Sequence, residues 1–396
     1  MPVPLVYLDN NATTAVAPEV IAAMEPFFAT KWGNPSSMHR FGGQVMREVD
    51  DARAHIAALI HADPSEIVFT SCGTESDNMA IYGAAEILGP AAAILTSRVE
   101  HPAVLGPCRH FHDDHGYRVV EIGVDGGGLL DLDMLRNELR RGPALVSLMW
   151  ANNETGVLFQ MEEIAQIVKS AGAVLHTDAV QAVGKVPVDV RRVPVDMLSF
   201  AGHKLHAPKG IGVLYIRRGT RLKTYMIGGH QEHGRRGGTE NVPYIAGLAR
   251  ACELARAHAP DMARIGKLRD ELEAEILRQV THVEINGRGA PRMPNTLNMA
   301  CHFIEGESIL YELNGHGICA STGSACSSGS LEPSHVLKAM GVPFTAMHGS
   351  IRLSFSAYTT AAEVRRIAEV FPKVVANLRH MSPYWDQKRN RPRENA

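Results

Sequence analysis

The sequence is poor in the features that mark several classes of protein. Its 396 residues include six cysteines and only 6% aromatic residues. No two cysteines form a Cys-x-x-Cys pair, so neither a zinc ribbon nor a disulfide framework is predicted. The histidines between positions 110 and 115 fit no familiar ligand spacing, and we predict a solvated loop there and no resident metal ion.

The chain also lacks a strong excess of charge and a long apolar run. Its formal net charge is -2, which provides no overall field to attract nucleic acid or an anionic membrane. No stretch approaches the ~18 uninterrupted apolar residues of a membrane span, and residues 1–9 do not form a basic, apolar leader. We therefore expect a cytoplasmic protein that binds neither nucleic acid nor a membrane.

Short apolar runs alternate with helical stretches between about residues 65 and 220. This alternation is typical of a mainly parallel sheet with crossover helices, an α/β fold. The predicted strands are Ile67–Thr70, Ala92–Thr96, Arg118–Ile122, Ala144–Trp150, Val174–Asp178, Met197–Ala201 and Gly212–Ile216. The predicted helices between them are Glu75–Leu88, Asp133–Arg140 and Met161–Lys169.

After residue 240 the pattern changes to longer amphipathic helices, over Val242–Ala257 and Met262–Val280. The capping-box spacing from Thr360 to Glu363 predicts the start of a last helix that runs to about Arg379. We expect a frayed tail from residue 382 onward. We expect a large α/β domain over residues 16–256, and a small α+β domain formed by residues 1–15 and 257–396 that carries Cys326.

A glycine- and serine-rich segment carries one cysteine. Ser321-Thr322-Gly323-Ser324-Ala325-Cys326-Ser327-Ser328-Gly329-Ser330 has no bulky side chain, so its thiol could move over several ångströms. A mobile nucleophile suits sulfur chemistry. The alternative is a linker that contains an incidental cysteine.

Polar residues follow two of the predicted strands. Lys204 ends a Gly-His-Lys triplet after one strand, and Asp178 ends another with Gln181 three residues on. A lysine amine can form a Schiff base, and a buried carboxylate can keep a pyridinium nitrogen protonated. The alternatives are a solvated lysine and an aspartate that caps a following helix.

Several other residues could bind a ligand, but each also has an ordinary structural interpretation when it is taken alone. Gly73 and Thr74 lie in a small-residue turn that opens a helix, which suits a phosphate, and His203 could add a contact. His101 could stack on an aromatic ring or cap a helix. Arg352 could bind a carboxylate through two hydrogen bonds or form a salt bridge at a strand edge.

Taken together, these residues closely resemble the cysteine desulfurases, class V enzymes of fold-type I that use pyridoxal 5'-phosphate. The resemblance covers nearly the whole chain and includes Tyr7-Leu8-Asp9-Asn10-Asn11-Ala12-Thr13-Thr14 and Arg235-Arg236-Gly237-Gly238-Thr239. The stretches Ser330-Leu331-Glu332-Pro333-Ser334-His335-Val336-Leu337 and Ser382-Pro383-Tyr384-Trp385 are most similar to the nitrogen-fixation branch, NifS, rather than to the housekeeping branch, IscS. The family resemblance implies a seven-stranded, mainly parallel sheet in the large domain.

The resemblance also implies a role for each candidate residue. Lys204 would bind the cofactor covalently, Cys326 would accept the sulfur of L-cysteine, and His101 would stack on the ring and could accept the thiol proton. The remaining cofactor ligands would be Gly73, Thr74, Asn153, Asp178, Gln181, His203 and Thr239, the last from a second subunit of an obligate homodimer. Arg352, with Asn153, would bind the substrate. An iron–sulfur scaffold protein would then receive the sulfur from Cys326.

One position departs from the family pattern. Many relatives have a phosphate-binding serine two residues before the histidine, where this chain has Ala201. The Gly202 backbone or Ser199 could replace the missing hydroxyl contact, so we expect this departure to affect the affinity for the cofactor and not the type of reaction. Two other functions remain open: a selenocysteine lyase or other class V aminotransferase, and a cofactor-free sulfur carrier that merely presents Cys326.

Overall fold

The computed structural model describes residues 5–322, 333–386, 388–389 and 391–393. The strands are β1 Val6–Tyr7, β2 Ile67–Thr70, β3 Ala93–Ser97, β4 Val119–Ile122, β5 Ala144–Ser147, β6 Val174–Asp178, β7 Met197–Ala201, β8 Gly212–Ile216, β9 Val283–Ile285, β10 Thr296–Cys301, β11 Ile318–Cys319, β12 Ser350–Ser354, β13 Trp385–Asp386 and β14 Arg391–Pro392. The α-helices are α1 Pro18–Ala29, α2 Arg40–Leu59, α3 Gly73–Leu88, α4 Pro102–His115, α5 Leu132–Leu139, α6 Met161–Ser170, α7 Val242–Ala257, α8 Asp261–Gln279, α9 Gly306–Gly315, α10 His335–Ala339, α11 Phe344–Met347 and α12 Ala361–Met381.

A seven-stranded sheet forms the centre of the larger part of the molecule, in the order β2-β8-β7-β6-β5-β3-β4. Strand β8 runs antiparallel to its neighbours β2 and β7, and the other pairs are parallel. Every residue of β5, β7 and β8 is buried because helices cover both faces. The predicted mainly parallel sheet of seven strands is confirmed.

The remaining strands build a smaller α+β part. Strands β12, β10 and β9 form an antiparallel sheet in that order, and β1 pairs in parallel with β11. Helices α8 and α12 pack on each other beside it. Val6 and Leu8 share this apolar core with residues of the 265–378 range. The domain boundaries at residues 15/16 and 256/257 stay a prediction.

The last long helix begins where its capping box predicts. The Glu363 amide donates to the Thr360 hydroxyl at 3.3 Å, and the Thr360 amide donates to the Glu363 carboxylate at 2.8 Å. These two bonds satisfy backbone donors that the first turn would otherwise leave unpaired.

Three local predictions were wrong. The histidines from 110 to 115 lie on α4 rather than in a loop, because Cys108 and Phe111 bury one face of that helix. Strand β5 ends at Ser147 rather than Trp150, and the Met149 amide donates to the Glu100 carboxylate instead. The described part of the tail is not frayed as predicted, because β13 pairs with β14 and the ring of Trp385 packs under Arg379.

Candidate active site

A pocket of ≈ 330 Å³ lies at the ends of several strands of the large sheet. It is lined by nine of the sequence-predicted residues: Gly73, Thr74, His101, Asn153, Asp178, Gln181, His203, Lys204 and Arg352. The volume suits a small organic cofactor. Thr239 lies elsewhere, on an exposed segment, and Cys326 lies outside the described residues.

Lys204 ends a 3-10 turn, Gly202–Lys204, that directly follows β7. A side chain at Gly202 would meet the Ile211 side chain at 2.7 Å, so the turn is closely packed. The Lys204 amine donates hydrogen bonds to the backbone carbonyls of Asn11 (2.5 Å) and Ala12 (2.8 Å). These two carbonyls were not among the predicted site residues, because a sequence pattern gives no signal for a backbone acceptor.

Asp178 presents a buried carboxylate to the pocket. Its Oδ1 accepts a hydrogen bond from the Val180 amide at 2.9 Å, which forms a turn rather than a helix cap. Burial raises the pKa of Asp178, while His101, the Val180 amide and Lys204 oppose that rise. A cationic partner in the pocket would therefore stabilise the ionised form.

Two further carboxyl groups lie close to Asp178. Burial and the Asp178 charge raise the pKa of Asp77 well above its usual value. Burial raises the pKa of Glu100 to about 8, although hydrogen bonds from Ser97 and Met149 oppose it. Of the three, Asp178 is the one whose ionised form is favoured by His101 and Lys204, so we assign the negative charge to it.

His176 lies behind these carboxyl groups and is fully buried. Its Nε2 is 3.6 Å from Asp77 Oδ1 and 2.9 Å from the Ser199 hydroxyl. Burial lowers the pKa of His176 to about 3, so the ring is neutral at pH 7. Because Ser199 is bonded to His176 and does not line the pocket, it does not replace the hydroxyl that Ala201 lacks.

The opposite side of the pocket is the N-terminus of α3. The Cys72 sulfur accepts a hydrogen bond from the Glu75 amide at 3.4 Å and so caps the helix. A Cβ at Gly73 would lie 2.9 Å from the Val180 side chain, so only glycine fits this close approach. The amides of the first turn and the helix dipole favour an anion here.

Near this helix end, the Glu75 carboxylate is paired with an arginine and the His203 ring is neutral. Burial raises the pKa of Glu75, but hydrogen bonds from Arg236 and Ser71 outweigh that effect and lower it. The Nε of Arg236 donates to the Glu75 carboxylate at 2.8 Å. Burial and the neighbouring lysines lower the pKa of His203 to about 4, so His203 acts as a neutral hydrogen-bonding group.

His101 caps a helix, one of its two predicted roles, and it also borders the pocket, while stacking on an aromatic ring stays a prediction. Its Nδ1 accepts a hydrogen bond from the Ala103 amide at 3.1 Å and caps α4. The same side chain lines the pocket. Burial lowers the pKa of His101, although Asp178 opposes this. The ring is therefore held by the helix while it borders the cavity.

Arg352 lies on β12, an edge strand of the small sheet. Its Nη2 is 2.7 Å from the Asp9 carboxylate, and its Nη1 donates to the Asn153 carbonyl at 3.0 Å. The edge salt bridge is thus present, and the side chain also lines the pocket. The guanidinium has five N–H donors, and these two bonds use two of them. Its Nε is buried and has no hydrogen-bond partner among the described residues.

Both ends of the segment that carries Cys326 are anchored beside this pocket. Ser321 exchanges two backbone hydrogen bonds with Arg352, at 3.1 and 2.6 Å. On the other side, the Ser334 hydroxyl donates to the Glu154 carboxylate at 2.5 Å, next to Asn153. Position 326 itself lies outside the described residues.

The donor set fits the cofactor that the resemblance implies. An amine, a buried carboxylate, a neutral histidine and a helix N-terminus line one cavity. Pyridoxal phosphate has an aldehyde, a ring nitrogen, a ring face and a phosphate group, and each finds a matching partner. The tight contact at Gly73 gives a cradle that any side chain would fill.

In residues 5–322 and 333–393, apart from positions 387 and 390, no group of three or more His, Cys, Asp or Glu side chains could hold a metal ion. Within the same ranges, no helix has both the length and the apolar content needed to cross a membrane.

Comparisons with known proteins agree over almost the entire length. Residues 6–367 match the aminotransferase class-V family. A cysteine desulfurase from Trichormus azollae is 54% identical over 381 residues, 96% of this chain and 95% of the relative. Cysteine desulfurase NifS from Azotobacter vinelandii is 52% identical over 382 residues, again 96% and 95%.

A solved structure of a NifS-like protein superposes with a TM-score of 0.88 at 36% identity, and covers 95% of this chain and 100% of its own. This agreement confirms the predicted family and fold type, and with them an enzyme that depends on pyridoxal phosphate. The chain belongs to the cysteine desulfurase family of class-V aminotransferases.

Proposed function

We propose that this chain removes sulfur from L-cysteine, releases L-alanine and retains the sulfur as a persulfide on Cys326. The observation that carries the proposal is the arrangement around Lys204 and Arg352. Both side chains line one cavity, and the segment that bears Cys326 is tied to Arg352 at Ser321. The family supports the same reaction, since curated relatives are named cysteine desulfurases.

Pyridoxal phosphate would supply an electron sink for the substrate when it is bound. Lys204 would bind its aldehyde, and Asp178 would hold the proton on its ring nitrogen. His101 would pack on the ring face, and Gln181 would contact the ring hydroxyl. Gly73, Thr74 and His203 would bind the phosphate, joined by Thr239 from a second subunit of a homodimer.

Arg352 and Asn153 would orient the substrate carboxylate. The Arg352 guanidinium is fixed by Asp9 and by the Asn153 carbonyl, so little side-chain entropy is lost when a carboxylate binds. The two Nη groups each keep a second N–H that can donate to this carboxylate.

The chain's own residues would then move one proton and one sulfur atom. The Lys204 amine takes the proton from the substrate Cα. The thiolate of Cys326 attacks the substrate sulfur, so that a sulfur–sulfur bond forms and the carbon–sulfur bond breaks. The electron pair of the broken bond stays with Cβ, which would take up the proton released by the Cys326 thiol, and Cα would regain the proton held by Lys204. The products are alanine and a protein persulfide.

We further propose that the persulfide serves iron–sulfur cluster assembly, with nitrogenase maturation as its destination. The support is the similarity of residues 330–337 and 382–385 to the nitrogen-fixation branch, together with the NifS relative. A scaffold protein would accept the sulfur from Cys326. Incubation of persulfide-loaded protein with such a scaffold and mass analysis of both partners tests this transfer, which Cys326→Ala should abolish.

The proposed reaction is tested with purified protein and L-cysteine. Alanine and sulfide are measured in the presence of a thiol reductant, which releases the persulfide sulfur as sulfide, and the position of bound sulfur is mapped by mass spectrometry in a sample without reductant. Cys326→Ala should keep the change in the visible spectrum that cysteine causes, but should lose sulfide release. Cys72→Ala is the matched control, because Cys72 also lines the pocket and is used as a helix cap; it should retain both. Full sulfide yield from Cys326→Ala would contradict the assignment.

The same assay separates the competing functions. Formation of a keto acid from cysteine, with no persulfide, would indicate an aminotransferase. A strong preference for selenocysteine over cysteine would indicate a selenocysteine lyase. A colourless protein that contains no cofactor by mass would indicate a sulfur carrier.

A further inference from the structure

A second lysine amine lies close to the candidate active site and has no part in the proposed reaction. Lys185 follows β6 in the turn that also carries Gln181, and it is half-buried. Lys185 and Lys204 line the same small cavity of ≈ 40 Å³, which is distinct from the larger pocket. Lys185 does not line that larger pocket, where the cofactor ligands meet.

A chain of hydrogen bonds joins the two amines. The Lys185 Nζ donates to Gln181 Oε1 at 3.0 Å, and Gln181 Nε2 donates to the Asn11 carbonyl at 3.0 Å. The same Asn11 carbonyl accepts a hydrogen bond from the Lys204 Nζ. Gln181 is therefore held from both sides, by Lys185 at its oxygen and by Asn11 at its nitrogen.

These two partners dictate which way the Gln181 amide faces. A lysine ammonium has only donors, so the atom next to Lys185 must be the amide oxygen. A backbone carbonyl has only acceptors, so the atom next to Asn11 must be the amide nitrogen. Gln181 lines the cofactor pocket, and its second N–H remains for a ligand there.

We propose that Lys185 is a positioning residue that locks the Gln181 amide so that it presents an N–H donor, rather than its oxygen, to the ring hydroxyl oxygen of the cofactor. This inference rests on the proposed function, because it gives a purpose to the contact between Gln181 and the ring. A donor stabilises the ionised form of that oxygen, whereas an acceptor would destabilise it.

The lock does not depend on the charge of Lys185. Burial, followed by the charges of Lys204 and Arg352, lowers the pKa of Lys185 to about 7. The neutral amine can still donate to Gln181, and the Asn11 carbonyl, which only accepts, keeps the amide nitrogen on its own side, so the orientation persists on either side of neutral pH. The other titratable groups that face Lys185 are His203, His206 and His258.

The test compares the cofactor-loaded wild type with Lys185→Met and Lys185→Arg. In Lys185→Met one of the two restraints on Gln181 is lost, and the pH at which the visible absorption of the bound cofactor changes should rise by about 0.5–1 unit. The dissociation constant for pyridoxal phosphate, measured by fluorescence on the apoprotein, should rise by about 3–10-fold. Lys185→Arg keeps a donor, and the adjacent small cavity gives it room, so both values should stay near wild type.

Two further variants keep the test sharp if Lys185→Met does not fold. Gln181→Leu removes the other end of the bond and should shift the spectral transition at least as far as Lys185→Met. Lys31→Met removes an exposed lysine that pairs with Glu48 and should shift nothing.

A merely structural Lys185 would lower the melting temperature and leave the spectral transition in place. That result in a folded Lys185→Met protein would overturn the proposal, as would an equal shift in Lys185→Arg. Absence of a cofactor band in the wild type would instead refute the proposed function, so the two failures are distinguishable.

Discussion

The guanidinium Nη2 of Arg352 lies 2.7 Å from the carboxylate Oδ1 of Asp9. Asp9 follows β1, at the other end of the sequence, and pairs with Ser354 through an isolated bridge. The ion pair therefore fixes the N-terminal segment, whose Asn11 and Ala12 carbonyls contact Lys204. One short segment thus contacts both Arg352, the proposed substrate anchor, and Lys204, the proposed cofactor-binding amine.

Arg352→Lys tests the substrate anchor. A lysine has no planar fork and cannot pair with Asp9, Asn153 and a carboxylate at once. Loss of charge-assisted hydrogen bonds should raise the KM for L-cysteine by about 10–100-fold, while the absorption of the bound cofactor stays unchanged. Steady-state kinetics and the spectrum of the same sample are the measurements.

Arg278→Lys is the matched control, because Arg278 is exposed and pairs with Glu275 on one helix. It should leave the KM within error of wild type. An unchanged KM in Arg352→Lys would remove Arg352 from substrate binding.

Gly73→Ala tests the phosphate cradle. The added methyl group would lie 2.9 Å from the Val180 side chain, at the start of the helix that would bind the phosphate. Something must shift, and we expect the dissociation constant for pyridoxal phosphate to rise by at least about tenfold. Fluorescence titration of the apoprotein measures this.

Gly43→Ala provides the comparison. Gly43 lies inside α2, and an added Cβ there would have nothing within 4 Å. That variant should be slightly more stable, by about 0.5–1 kcal/mol, with unchanged cofactor binding. Equal effects of the two substitutions would argue against a phosphate site at Gly73.

Ala201→Ser should restore a hydroxyl group to the pocket. Ala201 lines the cavity, and a Cβ at Gly73 would lie 3.5 Å from its methyl group. One added hydrogen bond is worth about 1 kcal/mol, so we expect the dissociation constant for pyridoxal phosphate to fall by about fivefold. Weaker binding in Ala201→Ser would show that the phosphate does not lie against this residue.

Glu100→Gln tests the buried carboxyl cluster. The pKa of Glu100 is raised to about 8 in the folded protein, so the folded state keeps a proton that the unfolded chain releases at lower pH. Its contribution to stability is full below the ordinary glutamate pKa and is lost as the pH rises through about 8. Glutamine stays neutral, so Glu100→Gln should gain stability over wild type as the pH rises, on the order of 3 kcal/mol by pH 9.

The measurement is the free energy of unfolding of both proteins in urea at pH 5.5 and pH 9. The difference between them should be small at pH 5.5 and large at pH 9. A constant difference would mean that Glu100 does not carry its proton at neutral pH.

Much of the sheet could be predicted from the sequence. Strands β2, β6, β7 and β8 have the predicted bounds, because each is a short apolar run that ends in polar or small residues. Helix α7 also has the predicted bounds. The end of β5 was misplaced because Leu148, Met149 and Trp150 are as apolar as the strand itself, and only the Glu100 carboxylate, distant in sequence, takes up the Met149 amide.

Part of the candidate site could also be predicted, because the sequence shows which residues stand at the ends of the strands. Lys204, Asp178 and Gly73 follow strands of one sheet, so strand topology brings them to one edge. Lys185 and Asp77 were missed. Lys185 stands only four residues after Gln181, but the sequence does not show that its amine bonds the Gln181 oxygen rather than solvent. Asp77 lies near His176, which is distant in sequence, and local sequence does not contain that contact.

The central claim is that Lys204 is the residue that binds the cofactor covalently. Borohydride reduction of the cofactor-loaded protein, followed by proteolysis and mass mapping, identifies the modified lysine directly. The mass of the reduced cofactor should be found on the peptide that contains Lys204 and on no other, and Lys204→Ala should yield no modified peptide. Modification of Lys185, or of any other lysine in the wild type, would contradict the account.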